Sequence, residues 1–185
     1  MSASIALIVI DVQESFRHMP YFEDTGLARY LSAQQALIDE AEAKGVPVVQ
    51  IFHVDGDKAF SADSGLIRPL EGLRIQPSVT FIKHRHSAFV GTGLEVWLTQ
   101  HGINHLIISG IRTEQCCETT ARHASDLGYK VDYVTEATLT FPMTHASGDV
   151  FSPADIAKRT ELVLAGRFAR IATVSDVLES LQQRA

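Results

Sequence analysis

The sequence has almost no cysteine. Only Cys116 and Cys117 occur in 185 residues, and they are adjacent. A disulfide between neighbours strains the single peptide link that joins them, so a disulfide scaffold is excluded and a reducing, cytoplasmic setting is expected. Long apolar runs are also missing. The first, Ile5 to Ile10, is stopped by Asp11 and is too short for a membrane span; without a basic stretch before it, it is a poor signal peptide. Basic charge is in deficit: 16 Lys and Arg against 22 Asp and Glu give a net charge of −6. Nucleic acid and anionic membrane surfaces are therefore not expected partners. Neither Gly-x-Gly-x-x-Gly after the first strand nor Gly-Lys-Ser/Thr occurs, so no nucleotide cofactor is expected, and none of another kind is implied.

What remains is a chain of globular composition, 45% apolar and 21% charged, long enough to bury about 70% of its unfolded surface. With no repeat, linker or composition break, residues 1–185 read as one domain. Short apolar runs alternate with amphipathic stretches. Strands are expected at Ile5–Ile10, Val46–Phe52, Val79–Ile82, His105–Ser109, Lys130–Val134 and Arg170–Thr173. Helices are expected at Leu27–Lys44, Gly93–His101, Cys116–Leu127 and Pro153–Leu164, with a last one capped by Ser175 and ending near Gln183. The segments His53–Ser78 and Leu139–Asp149 read as long excursions. Alternating strands and helices predict an α/β fold: a six-stranded, mainly parallel sheet between two helix layers, a three-layer α/β/α Rossmann-like architecture.

In such a sheet, ligands sit beyond the carboxyl ends of the strands. Asp11 follows the first strand, Lys83 the third, and Gly110-Ile-Arg-Thr-Glu-Gln-Cys116 the fourth. A carboxylate, an ammonium and a thiol thus converge on one sheet edge. A free thiol is mostly protonated at neutral pH; a helix N-terminus and a nearby Lys both favour the thiolate. Asp11 is placed to accept the thiol proton and return it to a leaving amine, and backbone N–H groups from Arg112 to Cys116 are placed to hold an oxyanion.

Three stretches carry a family resemblance: Ala6-Leu-Ile-Val-Ile-Asp-Val-Gln-Glu-Ser-Phe16, Ile82-Lys-His-Arg-His-Ser-Ala-Phe89 with Gly91-Thr92 and Leu94, and Ser109-Gly-Ile-Arg-Thr-Glu-Gln-Cys-Cys-Glu-Thr-Thr-Ala121. Together they resemble the isochorismatase-like cysteine hydrolases, which include nicotinamidases, N-carbamoylsarcosine amidase and isochorismatases. The resemblance implies a triad of Asp11, Lys83 and Cys116. It also implies a cis peptide at Ile111–Arg112 shaping an oxyanion hole with Cys116, and assembly into a homo-oligomer. Cys117 then takes a place usually held by Val and reads as core packing.

The departures from the family pattern bear on specificity. Nicotinamidases carry Asp-x-His after strand two; here the segment is Phe52-His53-Val54-Asp55. His53, Asp55 and Asp57 could hold a metal, but a polar loop or substrate contact is the preferred reading, and no metal is expected. Arg112 has two readings, a carboxylate clamp for substrate or an ion pair with Glu114. Phe16, Phe89, Phe141 and Tyr21 are candidate pocket walls or plain core. If the segment after Lys83 stays extended, Arg85 shares its side and His84 and His86 do not. The expected activity is hydrolysis of a small-molecule amide, carbamoyl or related C–N bond through a thioester. The alternatives are vinyl-ether hydrolysis using Asp11, or a non-catalytic binding protein on the same fold.

Overall fold

The computed structural model describes residues 4–56 and 58–183; Met1 to Ala3 and Asp57 lie outside them. The elements run β1 (Ser4–Ile10), α1 (Leu27–Ala43), β2 (Val48–His53), β3 (Val79–Lys83), α2 (Leu94–Gln100), β4 (Ile103–Ile111), α3 (Glu118–Asp126) and β5 (Lys130–Leu139). A small antiparallel hairpin, β6 (Met143–Thr144) and β7 (Val150–Phe151), leads into α4 (Pro153–Leu164), β8 (Arg170–Ile171) and α5 (Val174–Gln182). Six strands form one parallel sheet in the order β3-β2-β1-β4-β5-β8.

The near-continuous apolar run of β1 exists because both of its faces are covered. Successive side chains of a strand point to opposite faces. Ile5, Leu7 and Val9 accordingly pack with Leu37, Ile38 and Ala41 of α1 and Val177 and Leu181 of α5. Ala6, Ile8 and Ile10 pack with Leu94 and Leu98 of α2, Ala121 and Ala124 of α3, and Leu164 of α4. This is the expected three-layer arrangement. No helix among the described residues is long and apolar enough to cross a membrane.

Three local expectations are corrected. First, β4 and β5 run past Ser109 and Val134, to Ile111 and Leu139, because their ends still pair: Gly110 with Thr138, and Ile111 with Leu139. Second, the helix expected from Cys116 begins as a five-residue π-helical turn, Thr113–Cys117, and becomes α-helical only at Glu118. Third, the last helix is capped by Thr173, whose side chain accepts from Asp176 N while Asp176 accepts from Thr173 N. Ser175 lies inside that helix and donates to Glu179 instead.

Strand order reverses between β1 and β4: from β1 the chain moves outward to β2 and β3, and from β4 toward β5 and β8. The carboxyl ends of β1 and β4 therefore flank the switch point, where a crevice opens in this architecture. The two strands approach closely there. A Cβ on Gly110 would lie 2.0 Å from Ile10 O, and its φ is +133°. Only glycine fits that position.

Candidate active site

Each candidate side chain is delivered by a strand end. Asp11 leaves β1 with φ at +52°, an unusual conformation for a residue with a side chain. Its N–H donates to Ile51 O at 2.9 Å, tying the turn to β2. Lys83 closes β3, in register with His53 at the end of β2. Cys116 follows β4 through the Ile111–Arg112 peptide, which is cis, and the π-helical turn. Asp11, Lys83 and Cys116 come together, all buried.

Lys83 is the centre of the group. Its Nζ lies 2.7 Å from Asp11 Oδ2, 3.0 Å from His53 Nδ1 and 3.4 Å from Cys116 Sγ. Three partners thus surround one ammonium, the carboxylate by an ion pair and the imidazole and sulfur within hydrogen-bond reach. Burial raises the Asp11 carboxyl, and the Lys83 charge, helped by hydrogen bonds from Lys83 and the Cys116 thiol, only partly offsets it. Burial pulls Lys83 down, but Asp11 and Cys116 outweigh it and leave the ammonium more firmly protonated than usual. Burial, with the Asp11 charge, pushes the Cys116 thiol up to about 12 despite Lys83. Lys83 does favour the thiolate, as the sequence suggests, but burial acts the other way and more strongly. In a site closed to water, desolvation exceeds that pull. These shifts favour an Asp–Lys ion pair beside a protonated thiol.

The turn that carries Cys116 is anchored to β5. Tyr133 Oη donates to Thr113 O at 2.6 Å, Thr113 Oγ1 to Thr138 Oγ1 at 2.8 Å, and Thr140 Oγ1 to Glu114 at 2.6 Å. The segment after Lys83 docks on α3: Ala88 N donates to Thr120 Oγ1 at 3.0 Å. Cys117 is fully buried among Ile108, Ala121 and Tyr133, as packing.

Arg112 pairs with Glu114 (Nη2–Oε1 3.1 Å) and lies over the rings of Tyr21 and Phe141 at 5.0 and 5.7 Å. Phe16 and Phe141 are neighbours, 6.3 Å apart, and Tyr21 and Phe22 also pack on Phe141. Phe89 lies elsewhere, stacked on Tyr129 and tilted against His123. The chain after Lys83 bends rather than staying extended, so strand alternation does not apply there. His86, not Arg85, reaches the thiol, with Nδ1 3.9 Å from Sγ; Arg85 turns back to donate to the His84 carbonyl at 2.8 Å.

Sequence reasoning gave His53 no place beside Lys83 and gave Gln13 no role. Gln13 clamps the end of β2: its Oε1 accepts from His53 N at 2.8 Å and its Nε2 donates to His53 O at 3.0 Å. The signal was available in the Asp-x-Gln pattern and in the two strands ending side by side. Among the described residues no three His, Cys, Asp or Glu side chains gather as a metal site. His53 Nδ1 instead faces the Lys83 ammonium, whose charge would repel a cation.

A parallel α/β sheet thus gathers an acid, an ammonium and a thiol beyond the carboxyl ends of its strands, and the proteins this chain resembles are hydrolases. Residues 5–151 match the Isochorismatase domain, and the chain belongs to the isochorismatase family. It is 32% identical to Nicotinamidase 3 of Arabidopsis thaliana, over 74% of this chain and 73% of that protein. It is 31% identical to N-carbamoylsarcosine amidase of an Arthrobacter species, over 68% and 55%. Its fold superposes on the crystal structure of an isochorismatase-type protein from Burkholderia xenovorans LB400 with a TM-score of 0.89, at 29% identity, covering 99% of this chain and 89% of that one.

Proposed function

We propose that this hydrolase cleaves a small-molecule amide, carbamoyl or related C–N bond with Cys116 as nucleophile, Asp11 as acid–base and Lys83 as the fixed cation. The observation that carries this reading is the buried Lys83 ammonium, 2.7 Å from the carboxylate and 3.4 Å from the sulfur. Because the thiol rests protonated, attack requires a base in contact with it, and Asp11 is that base.

Asp11 takes the Sγ proton as sulfur bonds to the substrate carbonyl carbon. Backbone N–H groups of Arg112 and Cys116 receive the oxyanion. The intermediate collapses, the C–N bond breaks, and Asp11 passes its proton to the departing nitrogen. Water then enters, gives a proton to Asp11 and attacks the thioester. The carboxylic acid, or for a carbamoyl substrate the carbamic acid, leaves, and the proton returns to sulfur. A carboxyl pKa raised by burial suits this double duty, since the carboxylate of a weaker acid takes the sulfur proton more readily and the acid can still pass it to the leaving nitrogen. Lys83 keeps its proton throughout.

Phe16 and Phe141, which pack against each other, are assigned as the apolar wall of the substrate pocket. Arg112 is a substrate contact through Nε, which has no hydrogen-bond acceptor among the described residues. Exposed Met143, Val150 and Phe151 on the hairpin support assembly into a homo-oligomer. The test is a screen of purified protein for ammonia release from amides, carbamoyl compounds and ureides, with Cys116→Ala as control. Turnover surviving that substitution sinks the reading. Survival on an enol ether alone points to the ether-cleaving alternative.

A further inference from the structure

Lys83 has an acceptor that the proposed reaction does not use. Its Nζ lies 3.0 Å from His53 Nδ1, and His53 Nε2 lies 3.3 Å from Asp55 Oδ2. The line leads from the buried centre outward: side-chain exposure is 0% at Lys83, 14% at His53 and 45% at Asp55. Since Nδ1 accepts from an ammonium, the neutral ring carries its one proton on Nε2, and Asp55 receives it. Burial and the Lys83 charge both hold His53 below its ordinary pKa, which agrees with a neutral ring.

His53 is itself held firmly. Its backbone is clamped on both sides by Gln13, its ring meets Phe60 edge-on at 5.8 Å, and strand pairing sets it beside Lys83. We propose that His53, backed by Asp55, is a positioning residue that holds the Lys83 ammonium between Asp11 and Cys116. The assignment goes beyond the triad and rests on that reading of it. A lysine side chain has four flexible carbons, and with only two acceptors its ammonium would keep one N–H unpartnered in a site closed to water. The ring fixes the third direction, so the charge stays where the sulfur develops its own.

The test reads the thiol itself and needs no substrate. In a Cys117→Val background, alkylation of Cys116 by iodoacetamide is timed by mass spectrometry at neutral pH. His53→Ala is expected to slow it about tenfold, the loss expected for one hydrogen bond to a charged group. His53→Gln, which keeps a side-chain acceptor, restores most of the rate. Lys83→Met sets a floor, and adding His53→Ala to it changes nothing further, because groups acting through one contact are not additive. A wild-type rate in folded His53→Ala, or further slowing in the double variant, overturns the proposal. If His53→Ala does not fold, the half-exposed Asp55→Ala decides: about threefold slowing supports the role, as fits a partly solvated contact, and an unchanged rate overturns it. Failure of the triad reading shows separately, as turnover that survives Cys116→Ala.

Discussion

The Lys83 ammonium and the Asp11 carboxylate lie 2.7 Å apart with essentially no exposure to solvent. Neither charge is tolerable there alone, and together they form a neutral unit. Asp11→Asn or Lys83→Met should each cost about 3 kcal/mol of stability, because each leaves an uncompensated buried charge. The double variant should recover much of that loss. Urea unfolding of the four proteins measures the coupling; simple additivity of the two losses would show that the pair is not coupled. All three variants should lose turnover.

The two cysteines should separate cleanly. Cys116→Ala is expected to abolish activity and leave the melting temperature nearly unchanged. Cys117→Val, close to volume-conserving, should stay within about 1.5 kcal/mol of the wild type and remain active. Cys117→Asp should fail to fold, since it buries a charge with no partner. Loss of activity in Cys117→Val alone would move the nucleophile by one residue.

Tyr133 braces the turn that carries Cys116, donating to the Thr113 carbonyl. Removing its hydroxyl with Tyr133→Phe leaves the Thr113 carbonyl without that donor and should cost about 1–2 kcal/mol. Because the turn carries Cys116 and the oxyanion donors, kcat should fall more than KM changes. An unchanged kcat in a destabilised protein would make the bond purely structural.

Gly110 should accept no other residue. In Gly110→Ala the new methyl carbon meets the Ile10 carbonyl oxygen at 2.0 Å, so β1 and β4 must part where Asp11 and the Cys116 turn leave them. Soluble expression and circular dichroism would reveal the loss. A folded, fully active Gly110→Ala would contradict the close approach.

The pH dependence follows from two shifted carboxyls. The proposed mechanism uses Asp11 as the carboxylate, and burial raises its pKa. The acid limb of kcat/KM should therefore lie above the ordinary Asp range, with activity lost as pH falls through it. Asp132 behaves oppositely. Burial works to raise it, but hydrogen bonds from Arg170 and His105 prevail and hold it down to about 2. Its stabilising contribution is fully present above the unfolded value of 3.8 and is lost as pH falls toward 2. Acid unfolding of Asp132→Asn should be less steep over that interval than that of the wild type.

The architecture was written in the amino-acid order because it depends on local period and short-range stops. Six consecutive apolar residues ending at Asp11 read as a strand covered on both faces, and the alternation of such runs with amphipathic stretches implies the layered sheet. The strand ends also named Asp11, Lys83 and Cys116, since a parallel sheet sends all of its carboxyl ends to one edge. What the sequence could not supply is what burial does to those groups. The same lysine that favours a thiolate on paper is outweighed by desolvation once water is excluded, and the thiol rests protonated. The placing of His53 and His86 was likewise decided in three dimensions. One depends on strand register and a clamp by Gln13. The other depends on a bend after Lys83 that overrides strand alternation. The scarcity of cysteine left Cys116 and Cys117 as the only thiols in the sequence; only packing could determine how strongly each holds its proton.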